Sequence, residues 1–291
     1  MTHDSGLALP PTTSASQLVA YVMCPRTYEY SYVLGLEPEF RSLALVVGSA
    51  MHATIGWWHA ERLAGRVPAL VAVERVLEAD LLAETLGAKV RWKDQTPESL
   101  EADAKRLLRV YLTRFGDMPV ATVEEAFTVE LASDETGEVF RPLRGYLDLR
   151  RQDDVVVELK TAAKGWDEFD LVRHLQVGAY LHAEHMCGVE RPTLEVVVMV
   201  KLKREPRIET YSVSRTCAEN RWWRGAATAI ESAILARQFP PKPSPLCREC
   251  EYERACRNWA ADAAPREAPV GLPAPERQPP RPAETAPAPA P

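Results

Sequence analysis

The sequence predicts an α/β (α+β) fold, with a mixed central β-sheet flanked by helices, and three observations lead there. Residues 139–150 and 155–161 are strand-like runs joined by the polar turn Arg151-Gln152-Asp153-Asp154, which makes an antiparallel hairpin. A helical pattern over 167–187, closed by Gly188, then leads into the apolar run 194–200. Such a strand-helix-strand crossover sets the second strand parallel to the first and lays a helix on the sheet. Finally, 46% hydrophobic and 26% charged residues in a chain of 291 is ordinary globular composition, enough for one large or two small domains.

Residues 1–13 read as a flexible polar leader and 14–259 as the folded domain. Ser14 can N-cap a helix that carries Leu18, Tyr21 and Val22 at helical spacing, and Pro25 breaks that helix just after Cys24. A second helix over 45–64 is stopped by Gly65 and carries His52 and His59 on roughly one face. Residues 69–116 read as a wholly helical insertion, striped by Val71, Leu77 and Leu81, then by Leu100, Leu107, Leu108 and Tyr111. Strands follow at 121–132, 139–150 and 155–161, with a turn at 133–137. On the helix 167–187, Leu171, Leu175, Ala179 and Met186 face the core, while Arg173, Gln176 and Tyr180 form a polar stripe. After the strand 194–200 come Lys201, Lys203, Arg204 and Arg207, an edge strand to Val213, and a long helix over 215–239 with Trp222, Trp223 and Arg224. Beyond Trp259 large apolar residues almost vanish, so 260–291 is expected to be a disordered Pro/Ala-rich tail, either a partner-docking segment or an inert extension.

One stretch departs from this ordinary pattern. The apolar run Val155 to Val157 enters the core yet ends in Glu158-Leu159-Lys160, with Glu158 and Lys160 on one face and Leu159 on the other. With Asp153 at the centre of the turn, Asp148 stands opposite Glu158, their Cβ atoms about 5 Å apart. Two carboxylates that close repel by about 3 kcal/mol at an effective dielectric constant near 20. A shared proton, the lysine or a divalent cation could compensate, and hard oxygen ligands suit Mg²⁺ or Mn²⁺ better than zinc. The plain alternative is a surface hairpin with a solvated ion pair.

The cysteines make a second cluster. A proline-punctuated loop over 240–245 leads into Cys247-x-x-Cys250 and then Cys256, a spacing that marks a metal or redox site in an intracellular chain. Cys24, Cys187 and Cys217 are the candidates for a fourth ligand, and the last two lie in helical patterns as packing residues. Spacing does not separate a Cys₄ zinc site from a [4Fe-4S] cluster.

Asp148 followed by Glu158-x-Lys160 on the next strand resembles the PD-(D/E)XK nuclease core, with Leu147 in place of the proline that names the motif. Gly48-x-x-x-His52 and Gln176-x-x-x-Tyr180 are similar to the helices flanking that core in RecB-like members, and Cys24 with Cys247, Cys250 and Cys256 resembles the iron-sulfur AddB branch and the RecB-like CRISPR adaptation nucleases. The resemblance covers about residues 14–259. It implies a restriction-endonuclease-like core with a helical insertion at about 69–116 and a C-terminal cysteine clasp. It implies that Asp148, Glu158, His52 and the Leu159 carbonyl hold Mg²⁺ or Mn²⁺, and that Lys160, Gln176 and Tyr180 act on the nucleophile, the phosphate and the substrate strand. Glu130 is a candidate outer or second-metal ligand, or else an exposed salt-bridge partner. The four cysteines would hold a structural [4Fe-4S] cluster, with zinc as the alternative.

The function so implied is a metal-dependent DNA nuclease, an exonuclease on single strands or ends that serves repair, recombination or CRISPR adaptation. The rival is a non-catalytic DNA-end-binding module that keeps the cluster as a clasp. Lys89, Arg91, Trp92 and Lys93 are candidates for backbone or base contacts, and Lys201 to Arg207 for a phosphate track. A net charge of −6 does not advertise nucleic acid, though a local basic groove can coexist with it. No apolar run approaches a membrane span and no signal pattern opens the chain, so a soluble cytoplasmic protein is expected.

Overall fold

Ser14 caps the first helix as its sequence suggests. Its hydroxyl accepts from Gln17 N, and α1 (Ala15–Met23) ends at Cys24, where Pro25 opens a short α2 (Pro25–Tyr28) that runs on into a π-helical turn over Glu29–Val33. The computed structural model describes residues 7–87, 89–167, 171–201 and 205–258. Residues 7–13 are not loose: Thr13 is fully buried and exchanges backbone hydrogen bonds with Pro142 and Arg144, and Leu7 and Leu9 pack on the core. Residues 1–6 and the predicted tail 260–291 lie outside the described residues, as do Lys203 and Arg204.

A two-residue strand β1 (Arg41–Ser42) leads into the long α3 (Leu43–Leu63), followed by α4 (Leu70–Thr85), β2 (Val90–Arg91) and α5 (Pro97–Phe115). The insertion is therefore not wholly helical. Gly87 at φ +74° and Lys93 at φ +50° turn the chain between α4 and α5, and β2 pairs in parallel with β1. Arg91 stacks on Phe40 and, with Lys93, pairs with Glu249, so these basic residues dock the insertion onto the cysteine loop.

The main sheet has the order β3 (Val120–Val129), β4 (Leu143–Arg151), β5 (Val156–Ala162), β6 (Thr193–Val200) and β7 (Arg207–Ser214). All neighbours are antiparallel except β5 and β6. Their parallel pairing requires the crossover helix α6 (Leu175–Met186), and α7 (Arg221–Leu235) packs beside it. Both faces are covered, which explains why β6 reads as an unbroken apolar run. Leu194, Val196, Val198 and Val200 join the layer of α1, α6 and α7, while Val197 and Met199 join that of α3, α4 and α5.

Several boundaries differ from expectation for local reasons. The ladder of β3 and β4 stops at Val129 and Leu143, and only the isolated Ala132–Val139 bridge continues it. Helix α6 starts at Leu175 rather than near Asp167, and residues 168–170 lie outside the described set. Met186 is 49% exposed and does not face the core. Helix α7 starts at Arg221 because Thr216 and Glu219 hydrogen-bond each other's backbone N–H groups and close a separate turn.

Candidate active site

The β4–β5 hairpin has the register expected from its turn. Leu149 pairs with Val157 and Arg150 with Val156, so Asp148 and Glu158 come next, and there the backbone ladder stops. Asp148 Oδ2 accepts the Leu159 N–H at 2.8 Å, a carboxylate inserted between the strands. Both carboxylates are buried, Glu158 to 1% exposure and Asp148 to 8%. From α3, His52 Nδ1 comes within 3.4 Å of Asp148 Oδ1. Gly48, one turn earlier, faces Thr161 at the end of β5, where a Cβ would lie in ordinary contact, 3.4 Å from Thr161 Oγ1.

Lys160 Nζ lies 2.5 Å from Glu158 Oε1 and 2.5 Å from Gln176 Oε1, and Gln176 Nε2 donates to Tyr180 OH at 2.7 Å. The helix after the hairpin thus extends the charged pair into a relay from Glu158 through Lys160 and Gln176 to Tyr180. Burial pushes the Glu158 carboxyl up to about 7, and the Asp148 charge adds to the rise. Burial would also raise Asp148, but His52, then Lys160 and the Leu159 N–H, outweigh it and hold Asp148 below the usual carboxylate range. His52 responds in kind: burial alone would lower it, and the carboxylates of Asp148 and Glu158 hold it above its ordinary value.

Among the described residues no three His, Cys, Asp or Glu side chains stand as a ready-made coordination sphere. Lys160 supplies the nearest positive charge. Even so, both Glu158 oxygens and His52 Nδ1 are buried without a hydrogen bond of good geometry. Lone pairs so placed beside a second carboxylate fit a divalent cation.

The other candidates fall elsewhere. Glu130 is exposed just past β3, its carbonyl accepting from His182 Nε2, and it lines a depression with Asp134 and Arg224. The β3 carboxylate across from Asp148 is Glu124, between the register pairs Val123–Leu149 and Glu125–Leu147. Its φ of +51° marks a local distortion, and its Oε1 lies 4.0 Å from where a Cβ on Gly56 would stand, one turn past His52. The adjacent acids Glu124-Glu125, which break strand alternation, are the sequence signal for it. His59 is a packing residue: its Nε2 lies 2.9 Å from Tyr111 OH, and burial pushes it down to about 4.

The cysteines share one neighbourhood. Thr27 Oγ1 lies 3.9 Å from Cys250 Sγ, and Lys242 N and Ser244 N donate to the sulfurs of Cys24 and Cys247 at 3.5 and 3.4 Å. Burial raises Cys256, and the neighbouring Cys24, Cys250 and Cys247 raise it further. Burial would raise Cys24 too, but the N–H groups of Lys242, Thr27 and Arg26 and the Thr27 hydroxyl bring it below its ordinary value. Backbone N–H groups aimed at sulfur favour thiolate, the form that binds metal.

A sequence profile of the PD-(D/E)XK nuclease superfamily matches residues 12–257. The crystal structure of SSO0001 is similar over 83% of this chain and 92% of that one, at 16% identity and a TM-score of 0.35. No curated protein matches. The matched span takes in α3, the open hairpin and α6, and on that match the chain belongs to the PD-(D/E)XK nuclease superfamily.

Proposed function

We propose that this protein is a metal-dependent DNA nuclease, an exonuclease on single strands or DNA ends, with a place in repair, recombination or CRISPR adaptation. The observation that carries this reading is the meeting of His52, Asp148, Glu158 and Lys160 where the hairpin ladder opens. Asp148, Glu158, His52 and the Leu159 carbonyl would hold Mg²⁺ or Mn²⁺. When bound, such an ion polarises the scissile phosphate and lowers the pKa of water.

The side chains do the rest. Asp148, ionised at neutral pH, gives the pocket a fixed negative charge. Lys160 positions the attacking water or a phosphate oxygen, and Gln176 aims Lys160 by accepting a hydrogen bond from its Nζ. Tyr180, at the far end of that relay, holds Gln176 in its working orientation. The thiols of Cys24, Cys247, Cys250 and Cys256 would carry a [4Fe-4S] cluster, or zinc in its place, as a clasp remote from hydrolysis.

Incubation of end-labelled single-stranded and duplex DNA with and without Mn²⁺ tests the reading. Wild type is expected to cut single strands only with the ion, and Asp148→Ala and Lys160→Ala to cut at least about 100-fold more slowly, with unchanged melting and cysteine-bound metal. Wild-type cleavage by either variant would refute the assignment. Binding without cleavage would make the protein a DNA-end-binding module.

A further inference from the structure

A cavity of about 270 Å³ opens one residue past Lys160, between the start of α3, α5 and the ends of β5 and β6. Its walls include Leu43, Val47, Leu107, Thr161 and Ala162, with Lys201 among them. Thr161 directly follows Lys160, and its Oγ1 lies 3.4 Å from where a Cβ on Gly48 of α3 would stand, one turn before His52, so cavity and hairpin share two walls.

Lys201 is the unusual member. Its N–H is tied to the Ala162 carbonyl at 2.9 Å, its side chain is half-buried, and it makes no side-chain hydrogen bond or ion pair among the described residues. Burial pushes it down to about 8. Among the described residues the one carboxylate in the lining, Asp103, is already engaged by Arg106 at 2.6 Å and Gln95 at 3.2 Å, so none of them supplies Lys201 with an acceptor.

Arg106 also lines the cavity but is tied to Asp103, so Lys201 is the cation left to a ligand there. One such charge among largely aliphatic walls is a poor phosphate site, since phosphates draw several cations. It suits a flat, largely apolar ring with acceptor atoms at its edge, which is a nucleobase. The distance also fits. Along the backbone Lys201 lies three residues past Val198, the β6 partner of Lys160, or about 10 Å at strand rise, and the odd offset sets it on the α3 side of the sheet, from which His52 reaches Asp148. That distance is one or two nucleotides of a strand drawn out beyond the stacked rise of about 3.4 Å.

The geometry points to a base-binding subsite: the Lys201 cavity takes one unstacked nucleobase beside the scissile phosphate, and Lys201 Nζ donates to an oxygen or ring nitrogen on its edge. This rests on the nuclease reading and gives it a physical basis for preferring single strands, because a paired base cannot enter such a pocket.

The test is a series of single-stranded oligonucleotides, each with one abasic residue at a successive position, cut by the full-length protein with Mn²⁺. Wild type should lose about tenfold in rate at one position near the cut and little elsewhere. Lys201→Met, which removes the charge and keeps the bulk, should cut the unmodified strand about tenfold more slowly and lose the positional penalty. Ala104→Phe, which fills the cavity, should do the same, with melting curves confirming that both variants fold. A uniform penalty in wild type, or an unchanged profile in Lys201→Met, overturns the subsite. Should Mn²⁺ produce no cleavage at all, the nuclease reading fails and binding decides the pocket alone, using strands with 2-aminopurine at single positions. A Lys201-dependent fluorescence change at one position upholds it, and none overturns it.

Discussion

Glu158 keeps a carboxylate at 1% exposure beside a second carboxylate, and the fold is less stable for it. Its folded pKa of about 7 stands above the ordinary 4.5, so the native state binds the extra proton more tightly than the unfolded chain. That contribution is complete below pH 4.5 and is lost as pH rises through about 7, a span worth about 3 kcal/mol. Glu158→Gln, measured by denaturant unfolding in EDTA, should therefore be more stable than wild type by about 1–3 kcal/mol at pH 8 and no more stable at pH 4, while losing DNA cleavage. Equal stability at pH 8 would show that Lys160 fully compensates the charge. At this scale much was legible: strand alternation and the Asp153-centred turn alone put Asp148 against Glu158. Glu124 was not singled out, and Lys201 was read as part of a basic track rather than a cavity wall, because cavity walls and a positive φ belong to tertiary packing, which leaves no periodic trace.

Among the elements, α6 has the most demanding position, since it must bring Gln176 to Lys160 while packing on α7. Gly178 sits between Gln176 and Tyr180, and a Cβ there would come 2.1 Å from Trp223 Cδ1. Trp223 cannot yield readily: its Nε1 donates to Leu175 O at 2.6 Å, and it is 1% exposed. Gly178→Ala should thus cost about 1–3 kcal/mol in thermal or denaturant unfolding and shift Gln176 off Lys160. A variant as stable as wild type would mean that α6 and α7 can slide apart freely. Helical periodicity disclosed that α6 exists and set Gln176 one turn from Tyr180. But Tyr180, expected on a polar stripe, is buried in the same core as Leu175 and Ala179, because α6 is covered nearly all round. Periodicity also missed the start at Leu175 and the outward Met186, because end positions answer to local capping and to neighbours rather than to period.

Over the whole molecule, the two helical layers come from distant parts of the chain, and the cysteine loop ties their ends together. Glu39 N donates to Glu251 O, Tyr30 OH to Ala255 O, and Arg91 reaches the Arg248 carbonyl, so the loop meets both the start of the chain and the insertion. Loss of a metal clasp from Cys24 to Cys247, Cys250 and Cys256 would free a loop of over 200 residues, and by analogy with a disulfide the chain-entropy effect is about 5 kcal/mol. For a domain this size that corresponds to a melting point lower by roughly 10–20 °C. Cys24→Ala is the informative variant, because it leaves the Cys247-x-x-Cys250 loop intact while removing the one ligand from the far end of the chain. Anaerobically purified wild type should be brown, with broad absorbance near 400 nm and bound iron, and Cys24→Ala should lose that colour and melt lower. Colourless wild type with stoichiometric zinc would assign the clasp to zinc. A variant that melts like wild type would mean the ends are held by packing alone, chiefly the contacts of Tyr30 with Tyr252 and of Glu39 with Arg254.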